Sequence, residues 1–537
     1  MKNSKTVLID KNPGRNSQTF GIARILNTDL DLIHEPSIGV VGNKGDSQCY
    51  LGVEQKVKTI HEKLRLRIGQ NPNDIRMRLV QPEYTVATSD GIRNGTKEMR
   101  YSLIGREVTN DTLCEHLSAS GLEGTIAVVA CDKPPVGTLS AILEHNRPAI
   151  IMSDGPIRPG IDSVTNEPLD IISSYQIAGS EDEELKRRIA CEACPGYGSC
   201  GGMFTYNTMQ TFIGVVGMQP LHMVSPPSDD KRRLDVFPDQ LITYLDNMVK
   251  KDIKPRDIVT RDSIRNALIV AMSIGGSTNV MLHAPELARA AGYKSFIEDI
   301  MSPDEFNYLS EKVVPVLVDA RPFGKYSMVD IDSMGGIQVI VKDMIDSGLL
   351  NGDTLTCTSE TLTEQVTRLK PNSPDGDVIY SIKEPFKKTG GLRLLGGNLS
   401  PENSSILKLA GVRPVDAAMI GAEPEHGSDM DHGDDDAMGS MQMGKMRDMM
   451  MKPDMEKQEE TFANEPEEKV QDIDSLVNKH SGGLNRQKTT YPKVASGDNP
   501  MAYQEDKITE EELANSLRTQ YESFKQAYQE AAKPDYI

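Results

Sequence analysis

The strongest constraint on this fold is a regular alternation of short apolar segments with longer helical patterns near the start of the chain. Unbroken apolar runs of this length, bounded by polar turns, are typical of buried strands. They predict strands at residues 37–42, 84–88, 124–130 and 148–152, and the intervening segments predict helices that end near Leu66, Ser120 and Asn146. Strands that alternate with helices in this way predict an α/β fold with a parallel sheet and helices on its faces.

Side chains that can bind metals follow three of these strands. Cys49 follows the first strand across a short turn, Asp90 follows the second, and Cys131, Asp132 and Lys133 follow the third. In an open parallel sheet, ligands bind at the carboxyl ends of the strands. The sequence therefore predicts one composite site, built from these five residues at one edge of the sheet.

A second group of candidate ligands lies in the segment Cys191-Glu-Ala-Cys-Pro-Gly-Tyr-Gly-Ser-Cys200, which holds three of the seven cysteines. An apolar pattern over residues 203–218 predicts a helix directly after it. Cys200 is therefore expected at a helix N-terminus, where free N–H groups and the helix dipole stabilise a thiolate. One interpretation is a local three-thiol metal or redox site. The spacing lacks the second Cys or His pair of a zinc ribbon, which weakens that interpretation.

Charge and cysteine usage restrict the classes of function. The net charge is −20, and most of the acidic excess follows Val412, which disfavours binding to a phosphate backbone. No run of about 18 apolar residues predicts a membrane span, and the N-terminus lacks the apolar segment of a secretory signal. An odd number of cysteines argues against a disulfide framework. We therefore expect a cytoplasmic protein that binds neither nucleic acid nor a membrane.

A polar interruption, Gly275-Gly-Ser-Thr-Asn279, divides a long helical pattern in the middle of the chain. It is interpreted either as a loop between two helices or as a pocket in which Ser277, Thr278 and Asn279 bind an anionic substrate. His283, which follows this stretch, is interpreted as a packing residue.

The two ends of the chain differ from its middle. Residues 1–35 are polar and predict a loop-rich arm. After Val412 the composition becomes acidic and rich in methionine, so residues 413–537 predict a largely disordered tail with one amphipathic helix over 510–532. The Asp and His residues of 423–436 are interpreted as a solvated linker, with a divalent-cation site as the alternative. The prediction is a domain of residues 1–412 followed by this tail.

Nine motifs occur in order across residues 10–412. They are Asn43 to Cys49, Ser89-Asp-Gly-Ile, Met99-Arg-Tyr-Ser-Leu, Cys131-Asp-Lys, Cys194-Pro-Gly-Tyr-Gly-Ser-Cys-Gly-Gly-Met-Phe-Thr-Tyr-Asn-Thr-Met209, Gly275-Gly-Ser-Thr-Asn-Val-Met-Leu-His283, Asp319-Ala-Arg-Pro-Phe-Gly-Lys-Tyr326, Gly335-Gly-Ile, and Gly390-Gly-Leu with Gly-Asn-Leu399. This combination resembles the dihydroxy-acid dehydratases, in the family that also holds phosphogluconate and sugar-acid dehydratases. The Ser-Cys-Gly-Gly-Met form is closer to the branched-chain-acid branch.

The resemblance implies two metal centres in an N-terminal dehydratase domain. The implied ligands are Cys49, Cys131 and Cys200 for a [2Fe-2S] cluster, and Asp90, Asp132 and a carbamylated Lys133 for Mg²⁺. The implied protein is a homodimeric hydro-lyase that converts small 2,3-dihydroxy-3-methyl carboxylic acids to 2-oxo acids in branched-chain amino-acid biosynthesis. Cys191 and Cys194 are then outside the ligand set.

The resemblance ends before the tail. The family's second domain carries a further Mg²⁺ carboxylate and a serine base, and neither stretch is found in residues 413–537. Three alternatives therefore stand beside the first hypothesis. They are a sugar-acid dehydratase, a catalytically impaired cluster-binding protein whose tail serves interaction or assembly, and an enzyme whose missing domain is a separate chain.

Overall fold

The computed structural model describes residues 13–25, 35–68, 78–398, 400 and 405–409. The chain divides into two units, Met1–His432 and Gly433–Ile537, and every described residue lies in the first. The predicted tail, its helix, the acidic segment 423–436 and the boundary at residue 412 lie outside the described residues.

Nine strands occur among the described residues. They are β1 (Ser37–Lys44), β2 (Arg78–Leu79), β3 (Glu83–Val86), β4 (Gly124–Val129), β5 (Ala149–Ser153), β6 (Gly160–Ile161), β7 (Pro168–Leu169), β8 (Leu392–Leu395) and β9 (Ser405–Lys408). The four strands predicted from apolar runs correspond to β1, β3, β4 and β5. That prediction is confirmed, with ends that differ by at most two residues.

The main sheet is parallel throughout. β4 lies between β1 and β5, and the opposite edge of β1 pairs first with β2 and then with β3. Every residue of β4 and β5 is buried, which explains their unbroken apolar sequences. Two small antiparallel pairs, β6–β7 and β8–β9, lie outside this sheet.

Helices make up most of the remaining described chain. They are α1 (Pro13–Ile25), α2 (Val53–Arg67), α3 (Asp90–Arg93), α4 (Ser102–Ser120), α5 (Pro134–His145), α6 (Ile171–Gln176), α7 (Glu183–Glu192), α8 (Thr205–Val215), α9 (Arg232–Asp235), α10 (Phe237–Lys251), α11 (Pro255–Ile258), α12 (Arg261–Ser273), α13 (Val280–Ala291), α14 (Phe296–Asp299), α15 (Pro303–Tyr308), α16 (Met328–Ser333), α17 (Ile337–Asp346) and α18 (Leu362–Leu369). Short 3₁₀ turns at Lys97–Tyr101 and Leu221–Met223 and a π turn at Leu309–Val313 complete the set.

The helices pack against the sheet and against one another. α2 and α10 contact β4, and α5 contacts β4 and β5. α8 is buried along all of its eleven residues, packs against α12, and so forms an internal helix rather than a surface one. The predicted α/β class, with a parallel sheet and flanking helices, is confirmed for the described part of the chain.

Two local predictions are settled by these elements. The stretch Gly275-Gly-Ser-Thr-Asn279 is the connection between α12 and α13, so the simpler of its two interpretations describes its structure. The loop-rich arm predicted for residues 1–35 is wrong for α1, where thirteen residues are helical. The polar composition of α1 gave no amphipathic pattern by which this helix would have been found.

Candidate functional site

The cysteines after β1 and β4 meet at the carboxyl edge of the sheet. The hydroxyl of Ser89, which follows β3, lies 3.3 Å from Cys49 Sγ and 3.6 Å from Cys131 Sγ. All three side chains are buried, and none of the described cysteines forms a disulfide. The parallel strand order therefore brings two of the predicted thiol ligands to one hydroxyl, as the strand-end argument expects.

Cys200 reaches the same edge through a loop tied to the Cys131 turn. The backbone N–H of Cys131 donates to the hydroxyl of Ser199 at 2.8 Å. On the other side, the Asn207 side chain donates to the carbonyl oxygen of Cys200 at 2.7 Å. Gly198 holds a φ of 133°, and a Cβ there would meet the backbone N of Ile157 at 2.8 Å, so this close loop approach needs glycine.

The prediction that a helix N-terminus stabilises a Cys200 thiolate is wrong. α8 begins at Thr205, so Cys200 lies in the loop that precedes the first turn. Burial raises the pKa of the Cys200 thiol well above its usual value, and the nearby carboxylate of Asp132 and the Cys131 thiol act in the same direction. Without a cationic ligand, this cysteine is a neutral thiol.

Cys131 shows the same preference for the protonated form. A hydrogen bond shared with Cys49, and then burial, raise the pKa of the Cys131 thiol well above its usual value. The backbone of Cys131 has a φ of 64°, in the left-handed region that residues other than glycine rarely adopt. Tyr50 is buried beside it, and burial raises the pKa of that phenol, which stays a hydrogen-bond donor.

The oxygen-rich half of the site joins the ends of β3 and β4. Lys133 Nζ lies 2.8 Å from Asp90 Oδ2, and the hydroxyl of Ser102 donates to the same oxygen at 2.6 Å. Burial raises the pKa of Asp132 to about 6, with Lys133 opposing this and Asp90 adding to it. The three residues predicted to hold Mg²⁺ are therefore close enough to interact electrostatically.

A cavity of about 540 Å³ opens beside the thiols. Cys49, Ser89, Cys194 and Cys200 line it, together with the apolar side chains Ile92, Ile157, Ile171, Pro159, Pro168 and Ala193. Two arginines in its wall are paired with carboxylates: Arg321 with Asp170 at 3.1 Å, and Arg158 with Asp229 at 2.8 Å. The cavity thus combines a largely apolar wall with metal-binding side chains at one end.

The other predicted site residues lie outside this cavity wall. Ser277 Oγ is 3.2 Å from Thr205 Oγ1, and the Asn279 side chain donates to Thr205 Oγ1 at 2.8 Å. These contacts place the loop of Ser277, Thr278 and Asn279 against the first turn of α8, and its role in substrate binding stays a prediction. Cys191 is exposed on α7, so the described chain does not place it in a three-thiol cluster.

The donor set fits the two implied metal groups in different ways. The buried Cys49 and Cys131 and the partly exposed Cys200, from separate loops, are of the ligand type that an iron–sulfur cluster uses, and its irons deprotonate their thiol ligands. Among the described residues, no three His, Cys, Asp or Glu side chains are placed to hold one metal ion. For Mg²⁺ the third position is taken by Lys133, which repels a cation as an ammonium and supplies an anionic oxygen only as a carbamate.

Two further buried clusters join distant segments of the chain; of their members, the sequence analysis considered only His283, as a packing residue. Lys56 on α2 pairs with Asp154 after β5 at 2.6 Å, and the Ser228 hydroxyl donates to the second Asp154 oxygen at 2.6 Å. On α13, His283 is fully buried against Arg106 of α4. Their only signal in the sequence is a basic or imidazole side chain at a buried helical position, which one chain alone cannot distinguish from an exposed one.

Comparison with known proteins identifies the family of this chain. Residues 56–365 match the family described as dihydroxy-acid/6-phosphogluconate dehydratase, N-terminal. Proteins named dihydroxy-acid dehydratase from Leifsonia xyli, a Nocardioides strain and Lactococcus lactis are 40%, 36% and 34% identical over 335, 397 and 420 residues. These alignments cover 61%, 73% and 76% of this chain and 58%, 66% and 69% of the relatives.

The chain therefore spans between 58% and 69% of the length of these relatives. Among the described residues, no helix is long and apolar enough to cross a bilayer. The family match covers more than half of the chain and includes Asp90, Cys131, Asp132, Lys133 and Cys200. The chain belongs to the dihydroxy-acid/6-phosphogluconate dehydratase family, a family of hydro-lyases.

Proposed function

We propose that this protein dehydrates 2,3-dihydroxy-3-methyl carboxylic acids to 2-oxo acids. In this proposal, Cys49, Cys131 and Cys200 hold a [2Fe-2S] cluster, and Asp90, Asp132 and a carbamylated Lys133 hold Mg²⁺. The observation that supports the proposal is that the Ser89 hydroxyl lies 3.3 Å from Cys49 Sγ and 3.6 Å from Cys131 Sγ, while Cys49, Ser89 and Cys200 line one cavity of about 540 Å³. The cytoplasmic, homodimeric form belongs to the same proposal.

The chain's own residues prepare this site in three ways. When bound, the cluster held by Cys49, Cys131 and Cys200 would supply Lewis acidity for loss of the 3-hydroxyl, and Mg²⁺ held by Asp90, Asp132 and a carbamylated Lys133 would supply charge stabilisation. Ser89 accepts a hydrogen bond from the N–H of Gly91 at 3.1 Å, so its own proton can be donated to Cys49 or Cys131. Ser102 fixes one oxygen of Asp90. The aliphatic wall excludes water from the reacting end.

The cavity wall supports a methyl-branched acid over a phosphorylated sugar acid. Isoleucine, proline and alanine side chains make up much of the lining. Of the three cationic side chains in the lining, Arg158 and Arg321 are engaged by Asp229 and Asp170, and Lys325 lies over the ring of Tyr326. A phosphate would compete with these contacts, whereas a short alkyl substituent gains from contact with apolar side chains.

A second candidate function is cluster binding without dehydration. It is favoured by the lack of a match to the family's serine base in residues 413–537. In that case a serine base from another polypeptide would be needed for turnover.

The deciding measurement is formation of 2-oxo acid from 2,3-dihydroxyisovalerate by the full chain after anaerobic reconstitution with iron, sulfide and Mg²⁺. We expect turnover that is lost when Cys200 is replaced by Ser, and kept when the exposed Cys191 is replaced by Ser. A phosphorylated sugar acid serves as the competing substrate. An intact cluster without turnover on either substrate would reject the proposed function and favour the second candidate.

A further inference from the structure

The segment 158–196, which borders the cavity and is called the lid below, forms a small substructure of its own. Its two strands, β6 and β7, make a separate two-stranded sheet, and its two helices, α6 and α7, pack together. The lid also has a buried apolar cluster that is separate from the main core and consists of Leu169, Ile189 and Ala193, with Ile177, Leu185 and Cys194 packed against them. Contacts within the lid therefore hold it together.

The chain enters and leaves the lid at one neck. Pro156 and Ser199, on its two sides, form a parallel bridge. The N–H of Ser199 donates to the Gly155 carbonyl oxygen at 3.0 Å, and the N–H of Ile157 donates to the Ser199 carbonyl oxygen at 2.6 Å. Gly155 and Gly198, which flank this bridge, have φ values of 112° and 133°. Two chain segments joined at one bridge, each with a glycine beside it, have the form of a hinge.

The lid supplies most of the apolar lining of the cavity of about 540 Å³. Its contribution is Pro159, Pro168, Ile171 and Ala193, with Ile157 at the neck. The rest of the described chain, called the body below, contributes Ile92 and many of the polar lining residues, among them Cys49 and Ser89. The cavity therefore lies between the lid and the body, and a movement of the lid changes its volume and its access.

A largely buried ion pair fastens the lid to the body. Arg321 of the body lies 3.1 Å from Asp170 Oδ2 and donates to the Pro168 carbonyl oxygen at 3.1 Å. The Arg321 and Asp170 side chains are 21% and 10% exposed, so water screens their attraction less than that of a surface pair. Further polar contacts between lid and body are exposed and individually weak; they join Arg158 to Asp229, and Gln48 to the carbonyl oxygens of Cys194 and Gly196.

We propose that residues 158–196 open about the neck to admit a small organic ligand and close over it, with the ion pair between Arg321 and Asp170 as the latch. The size of the cavity suits such a ligand. Because the lid carries most of the apolar lining, it also determines which alkyl substituent fits. The proposal concerns access to the cavity and goes beyond the reaction proposed for it.

The test compares the rates at which two native cysteines react with a bulky maleimide in the full chain before metal reconstitution. Cys49 is buried in the cavity wall and is reached when the lid opens. Cys357 is 0% exposed in the main core and is reached only on global unfolding. Mass spectrometry of the digested protein gives both rates.

Asp170→Asn removes the charge of the latch but keeps a side-chain oxygen for the N–H of Ile172, which Asp170 Oδ1 caps at 2.9 Å. We expect Cys49 to react about tenfold faster in this variant, the effect of weakening one hydrogen-bonded contact between charged groups. The rate at Cys357 should stay unchanged. Arg321→Met should match Asp170→Asn, and the double variant should add little, because each single change removes the same contact.

Asp182→Asn is the matched control, because Asp182 is exposed and caps α7 through the N–H of Leu185 at 2.9 Å. It makes the same chemical change elsewhere in the lid, so the Cys49 rate should stay within about twofold of the parent. Equal Cys49 rates in Asp170→Asn and the parent, an equal effect of Asp182→Asn, a fully additive double variant, or a parallel acceleration at Cys357 would each overturn the proposal. The readout is independent of turnover, so failure of the proposed reaction would leave it standing.

Discussion

The buried ion pair between Lys56 and Asp154 is expected to make a large contribution to the free energy of unfolding. Their side chains are 2% and 0% exposed, and Nζ lies 2.6 Å from Oδ1. At an effective dielectric constant of about 20, that separation corresponds to an attraction of about 6 kcal/mol, which desolvation of both groups largely offsets. Lys56→Met removes the attraction and leaves the Asp154 carboxylate buried, with the Ser228 hydroxyl as its remaining hydrogen-bond donor among the described side chains. We therefore expect unfolding free energy to fall by about 3–5 kcal/mol.

The assay is urea denaturation of the full chain followed by circular dichroism. Lys58→Met is the matched control, since Lys58 lies two residues away on the same helix and pairs with Glu54 at 62% and 36% exposure. That exposed pair should cost at most about 1 kcal/mol. The double variant Lys56→Met with Asp154→Leu should recover stability, because it removes the stranded charge. If Lys56→Met cost no more than Lys58→Met, the ion pair would not be the support that its burial indicates.

Three further outcomes are expected. Cys200→Ser should abolish the charge-transfer absorption of the anaerobically reconstituted protein, because it removes a proposed cluster ligand. Burial lowers the pKa of His222 in the folded protein. The unfolded chain therefore binds a proton first as the pH falls through about 6.5, and the stability of the folded protein drops below that pH. In His222→Asn, the urea midpoint should fall less steeply between about pH 6.5 and 5. Gly160→Ala should cost about 1–3 kcal/mol in urea denaturation, since its Cβ would overlap the Glu192 carbonyl oxygen.

Each of these outcomes has its own control. Cys191→Ser should keep the absorption, and a loss in both serine variants would contradict the ligand assignment. An unchanged pH dependence in His222→Asn would show that this ring is not neutral in the folded protein. Gly196→Ala introduces a Cβ with no atom within 4 Å and should be neutral, so equal costs at both glycines would reject the steric explanation.

The sequence predicted the sheet and its site edge because each depends on a local pattern. The runs at β1, β4 and β5 are mostly apolar and almost wholly buried, and in a parallel sheet the carboxyl ends of the strands meet at one edge. The position of Ser89 between two thiols could have been suspected, since it directly precedes Asp90 at the same strand end.

Other features depend on contacts between distant segments. Nothing near Lys56 in the sequence indicates that a carboxylate 98 residues later will be buried with it. The same is true of Arg106 and His283, which are 177 residues apart. The error at Cys200 has a related cause: the apolar pattern began before the helix did, because Met203 is buried in the loop. The apolar pattern therefore predicted a helix that starts too early, and the predicted Cys200 thiolate depended on that start.

The turn Cys131-Asp132-Lys133 offers adjacent side chains to both proposed metal centres, with Cys131 held in a left-handed conformation. If both centres form as proposed, one short peptide segment carries ligands of both, so a shift of the ligands of one centre moves the ligands of the other. By thermodynamic linkage, if bound Mg²⁺ changes the affinity for the iron–sulfur cluster by some factor, the bound cluster changes the affinity for Mg²⁺ by the same factor. Loading therefore becomes a joint event: a chelator that strips Mg²⁺ should loosen the iron–sulfur cluster, and cluster loss should weaken Mg²⁺ retention by an equal factor.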